Sequence, residues 1–146
     1  MDPLQTLLSA PSGGGVFHLE HDAREIELAA LAAGLAAWRI NIGHVHDRDD
    51  FLRAVAAALK FPDWFGGNWD ALADCLRDLS WLPAAGWLLV FERSKHFASG
   101  HRHEFDLAME VLGEASEYWR ARGKSFWVLV GGAQGWDSGL PRMKPA

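Results

Sequence analysis

The chain has 146 residues, 49% of them hydrophobic and 23% charged, with a formal net charge of −5 and a pI near 5.7. That is an ordinary globular composition with enough chain to bury a core, and its acidic balance argues against direct nucleic-acid binding, which needs basic patches to displace counterions. The single cysteine, Cys75, excludes an internal disulfide, and no run reaches the roughly 18–20 apolar residues that a membrane span requires.

Residues 1–15 end in Pro11-Ser12-Gly13-Gly14-Gly15 and read as a flexible segment. They lack the basic start and sustained apolar stretch of a signal peptide, so a soluble cytoplasmic protein is expected. Gly15–Leu19 is a short candidate strand. Asp22 is a candidate N-cap for a helix over 23–33 that Gly34 ends. Trp38–Ile42 alternates apolar and polar residues, the pattern of a strand. Asp47 or Asp49 then caps a helix that runs to about Lys60, with Phe51, Leu52, Val55, Ala58 and Leu59 inward and Pro62 as its stop.

Residues 61–82, FPDWFGGNWDALADCLRDLSWL, are the most informative stretch. A turn built from Pro62, Gly66 and Gly67 leads into a short helix. Asn68 is a good N-cap, and Asp70 sits where a carboxylate gains from the helix dipole. Trp69, Leu72, Leu76 and Leu79 follow one apolar stripe, while Asp70, Asp74 and Asp78 recur every four residues along another face. Like charges at that spacing repel. A row of them with Arg77 as the nearby cation points to a use beyond folding. Of Trp64 and Phe65, one is expected in the core and one exposed. Cys75 lies beside the apolar stripe and reads as a buried, inert thiol.

Pro83 and Gly86 mark the next turn. Trp87–Phe91 is a continuous apolar run, as in a buried parallel strand. Residues 93–102 read as a polar loop and 104–122 as the longest helix, with Gly123 beyond its end. Ser125–Val130 is the last strand. Gly131-Gly132 opens a tail over 132–146 that is expected to be flexible, with 144–146 disordered. Strands separated by helices imply an α/β domain over 16–131, built on a small, mostly parallel sheet of three or four strands covered by helices.

The run Phe61-Pro62-Asp63-Trp64-Phe65-Gly66-Gly67-Asn68-Trp69-Asp70-Ala71-Leu72-Ala73-Asp74-Cys75-Leu76 resembles the barstar family of barnase-type ribonuclease inhibitors. The resemblance extends over about 36–131, includes Glu92-Arg93-Ser94-Lys95, and leaves a strand–helix extension over 16–35. It implies a barstar-like fold and a non-catalytic protein whose 61–82 loop and helix occlude the active site of a basic, secreted ribonuclease. The Asp74 position would take the place of a substrate phosphate, with Asp70 a second anionic contact and Trp64 over the guanine-binding region. Gly66, Asn68, Ala73 and Tyr118 complete the implied partner-binding set, Tyr118 placed to within one helical turn. Two positions depart from the family pattern. Ala73 stands where the type protein has a tryptophan, and Gly67 where it has an acid. These departures favour the alternative of an immunity protein or interaction module for a different toxin or nuclease.

No metal or other cofactor is expected. His44-x-His46 and His101-x-His103 would chelate only if brought together, and no HExxH or paired-cysteine framework accompanies them. The G-x-S-x-G elbow and the phosphate loop G-x-x-x-x-G-K are absent, so no enzymatic role is expected.

Overall fold

Two apolar runs, Trp87–Phe91 within β3 (Gly86–Glu92) and Phe126–Val130 within β4 (Ser125–Val130), form the centre of the sheet. In the computed structural model, which describes residues 2–10 and 13–143, they pair in parallel with Leu89 opposite Val128. The edge strands are β1 (Gly14–His18) beside β4 and β2 (Ala36–Asn41) beside β3. The sheet is four-stranded, all parallel, in the order β1-β4-β3-β2. Six helices complete the described chain: α1 (Pro3–Leu8), α2 (Ala23–Ala32), α3 (Arg48–Leu59), α4 (Trp69–Leu76), α5 (Lys95–Gly100) and α6 (Arg102–Arg120).

The period-two alternation of a strand divides the central residues between two cores. Trp87, Leu89, Phe91, Phe126, Val128 and Val130 join the buried residues of α3, α4, α5 and α6 in one cluster. Leu88, Val90, Trp127 and Leu129 join Leu4, Leu8, Ile26 and Ala30 of α1 and α2 in a second cluster. Helices therefore cover both faces, and the central strands are apolar throughout for that reason.

Local chemistry sets the helix ends. The Asp22 carboxylate accepts from the Arg24 and Glu25 N–H groups at 3.0 and 3.2 Å, and Asp47 accepts from Asp50 N at 2.8 Å. Of the two candidate caps for α3, the structure uses Asp47. That helix stops at Lys60, which takes a left-handed conformation (φ 52) two residues before Pro62.

Three segments differ from the sequence reading. Residues 93–102 contain α5, whose Phe97 and Ala98 are fully buried; Phe97 stacks on Phe51 with ring centroids 5.2 Å apart. A six-residue helix offers too little periodicity to be read amid polar neighbours. Residues 3–8 form α1, capped by Asp2 through Leu4 N at 2.8 Å, because Leu4 and Leu8 fill the second core. The backbone of Gly14 then passes so close to β4 that a Cβ would meet Phe126 O at 2.8 Å, a position open only to glycine. Finally, the described part of the C-terminal segment packs back on β1. His18 N donates to Pro141 O at 2.8 Å, and Ser138 is fully buried. Residues 144–146 lie outside the described residues. No helix among the described residues is long and apolar enough to cross a membrane.

The contact between His18 and this segment carries a pH dependence. Ser138 approaches His18 Nδ1 with its hydroxyl at 2.8 Å and its backbone N–H at 3.3 Å, so Nδ1 accepts and the ring proton sits on Nε2. Burial, then the Arg142 charge, lower the His18 pKa below its usual 6.5, against the opposing pull of Asp137 and Glu20. Below pH 6.5 the unfolded chain takes up a proton that the folded chain resists, so stability is complete above that pH and declines beneath it. Urea unfolding of the wild type at about pH 7.5 and about pH 5.5 is expected to show this loss, and His18→Gln is expected to reduce it. Leu8→Ala is expected to cost about 2–5 kcal/mol of unfolding free energy, the range for a buried leucine, although it lies in a segment that reads as flexible.

Candidate protein-binding surface

The surface over 61–82 is exposed on one side and anchored on the other. The loop after α3 closes with Phe65 N donating to Pro62 O at 3.0 Å. Phe61 packs edge-on against Phe65 (4.9 Å between centroids) and against Trp81 (5.9 Å). The Trp81 indole N–H donates to Leu59 O at 2.9 Å, tying the far end of the segment to the end of α3. Phe65 packs against the main core. Trp64 is left 56% exposed, one of three large apolar side chains so exposed among the described residues, with its ring edge-on to Trp81 at 6.3 Å.

Gly66 and Gly67 lie exposed between loop and helix, and Gly67 takes a positive φ of 72 that favours glycine. The Asn68 side chain accepts from Ala71 N at 2.8 Å, closing the first turn of α4. Leu72, Cys75 and Leu76 are fully buried and Trp69 is half-buried, 6.1 Å from Phe51 between ring centroids. The buried stripe leaves Asp70 and Asp74 on the exposed side, one helical turn apart, with Ala73 half-buried beside them. The Asp74 side chain is 66% exposed and pairs with Arg77 Nη2 at 3.2 Å. Such a surface pair contributes at most about 1 kcal/mol, so it leaves the carboxylate available. Asp78 is exposed but lies past the end of α4, so the helical row of acids has two members rather than three.

Helix α6 braces this surface from behind. The Trp119 indole N–H donates to Leu76 O at 2.7 Å, satisfying a carbonyl at the C-terminal end of α4. The Trp119 ring lies 4.6 Å from Trp87 of the sheet. Tyr118 is half-buried next to it, with the Arg122 guanidinium 3.5 Å above its ring. The inward face of the 104–122 helix, with Ala108, Ala115 and Trp119, is legible from its spacing, but the brace is not, because the carbonyls that Trp119 and Trp81 bond are fixed by tertiary packing.

The histidines assemble differently from their sequence pairs. His46 Nδ1 lies 3.1 Å from His96 Nε2, and the His96 and His101 rings are 5.9 Å apart. Among the described residues, no group of three or more histidine, cysteine or acidic side chains could hold a metal ion.

Burial pushes the Cys75 thiol up to about 11, with the charges of Asp78 and then Asp74 adding to the rise. The thiolate is therefore scarce at neutral pH. Alkylation by iodoacetamide at about pH 8 is expected to be at least ~10-fold slower in the folded chain than in urea, as followed by mass spectrometry.

Comparison with known proteins places the chain in a family. The family model described as "Barstar (barnase inhibitor)" matches residues 35–131. The chain is 42% identical over 59 residues to the protein named "Putative ribonuclease inhibitor YrdF" of Bacillus subtilis (strain 168). That match covers 40% of this chain and 62% of the relative, less than two thirds of its length.

Proposed function

The chain belongs to the barstar family, and on that premise we propose that it is a non-catalytic inhibitor that occludes the active site of a basic, barnase-type ribonuclease. The observation that carries this reading is the exposed pair Asp70 and Asp74 on a helix backed by the core, with the exposed Trp64 nearby in sequence. A ribonuclease site gathers cationic groups around a scissile phosphate, and carboxylates pair with such groups through charge-assisted hydrogen bonds. A helix already seated by Leu72, Leu76 and Trp119 presents them with little ordering cost. Trp64 supplies contact area of the kind that concentrates binding energy. Gly66, Asn68, Ala73 and Tyr118 border the same contact. The net charge of −5 suits a basic partner and speeds encounter.

One observation favours a second reading within the same fold. Ala73 offers only a methyl group beside the carboxylates, and Gly67 offers no side chain. A partner other than a barnase-type ribonuclease, such as another toxin or nuclease, would suit this reduced surface. Recovery of a non-ribonuclease toxin as the bound partner in an affinity pull-down would replace the first reading.

Inhibition titration of a barnase-type ribonuclease tests the proposal. Asp74→Ala is expected to weaken inhibition by at least ~2 kcal/mol, the general threshold of an interface hot spot, for which barstar itself is a reference system. An unchanged titration curve would remove Asp74 from the contact. Association is expected to slow as salt rises, and Arg77→Gln, which frees Asp74 of its surface partner, is expected to speed it.

A further inference from the structure

The carboxyl ends of β2, β3 and β4 open into a cleft of about 720 Å³ that includes none of the residues assigned above to partner binding. Its lining includes Gly43 after β2, Arg93, Lys95, His96 and Ser99 from the segment after β3, and Gly132 after β4. No carboxylate lines it. Among the described residues, neither Arg93 nor Lys95 forms an ion pair, whereas the adjacent Glu92 is held by Arg39 at 2.8 Å. Two cations thus line one cleft in a chain of net charge −5.

These cations sit on a fixed frame. Ser94, between them, is fully buried; its N–H donates to Gly131 O at 2.9 Å and its hydroxyl to Phe91 O at 3.2 Å. Arg93 occupies the left-handed region (φ 58), a conformation that costs a non-glycine residue energy and recurs where a side chain is held for use. Its aliphatic stem lies against Gly43, where a Cβ would come within 3.1 Å of both Arg93 Cβ and Arg93 Cδ. At Gly132 the Trp136 ring packs so closely that no Cβ would fit. His96 is oriented by its 3.1 Å contact with His46. Ligands of open parallel sheets collect at the carboxyl ends of the strands.

We propose that this cleft binds a small-molecule phosphomonoester of nucleotide size. Arg93 and Lys95 would meet the phosphate, and the Ser99 hydroxyl would donate to it. The phosphate suits two cations in a lining without a carboxylate, the adjacent Glu92 being paired with Arg39. The cleft falls within the range of small-molecule sites, about 300–1,000 Å³, and is larger than an inorganic ion needs.

The test is calorimetric titration of the full chain, at low salt, with adenosine monophosphate, uridine monophosphate, inorganic phosphate and adenosine. Saturable binding of at least one nucleotide, tighter than inorganic phosphate and absent for adenosine, is expected. Arg93→Gln and Lys95→Gln, made singly, are each expected to weaken it by about tenfold. Ribonuclease inhibition and circular dichroism serve as controls that the variants fold; Arg93→Gly, which suits the left-handed backbone, replaces Arg93→Gln if that variant does not. No saturation by ~10 mM nucleotide, equal binding of adenosine, or equal affinity in the variants would each overturn the proposal. Because inhibition is read separately, failure of this site leaves the ribonuclease reading standing, and the converse also holds.

Discussion

The parallel pairing of β3 with β4, buried on both faces, is the constraint on which the rest of the structure depends. Alternate residues of these strands feed two separate cores. Each core needs its own helical cover, because exposed apolar sheet faces of this size are costly in water. Helices α3 to α6 supply one cover and α1 with α2 the other. The segment preceding residue 35 is therefore built into the domain: it adds an edge strand beside β4 and closes the second core.

The candidate surface follows from how the first cover is fastened. Helix α4 is eight residues long, too short to persist alone in water. It is held by its buried stripe of Leu72, Cys75 and Leu76, by the Asn68 cap at one end and by the Trp119 indole at the other. With one face committed to the core, Asp70 and Asp74 have no place but solvent. Their charges raise no folding problem there, since water screens them and Arg77 offsets one of them. The same charges become useful when a cationic partner replaces the water.

The exposed acids and the cleft cations belong to different parts of the fold. The exposed acids stand on the outer helical layer, whereas Arg93 and Lys95 stand at the carboxyl ends of the central strands. Ser94 links that second region to the core, because its backbone and hydroxyl bind the ends of β4 and β3. The strained turn at Arg93 is thus held against the ends of the two central strands.

Much of this was legible in the residues themselves. The apolar run of Trp87–Phe91 marked a strand buried on both sides, Asp22 and Asn68 marked helix starts, and the 61–76 motif marked the family and the exposed acids. These signals are local: caps, periodicity and side-chain chemistry act within a few residues and hold wherever the chain lies. The helical state of 95–100, the seating of Leu4 and Leu8, the return of 136–142 to His18 and the brace from Trp119 to Leu76 were decided only by the tertiary structure. Each depends on partners remote in sequence, 43 residues for Trp119 with Leu76 and 120 for His18 with Ser138. No local pattern encodes a hydrogen bond or a buried contact whose other half is supplied by folding.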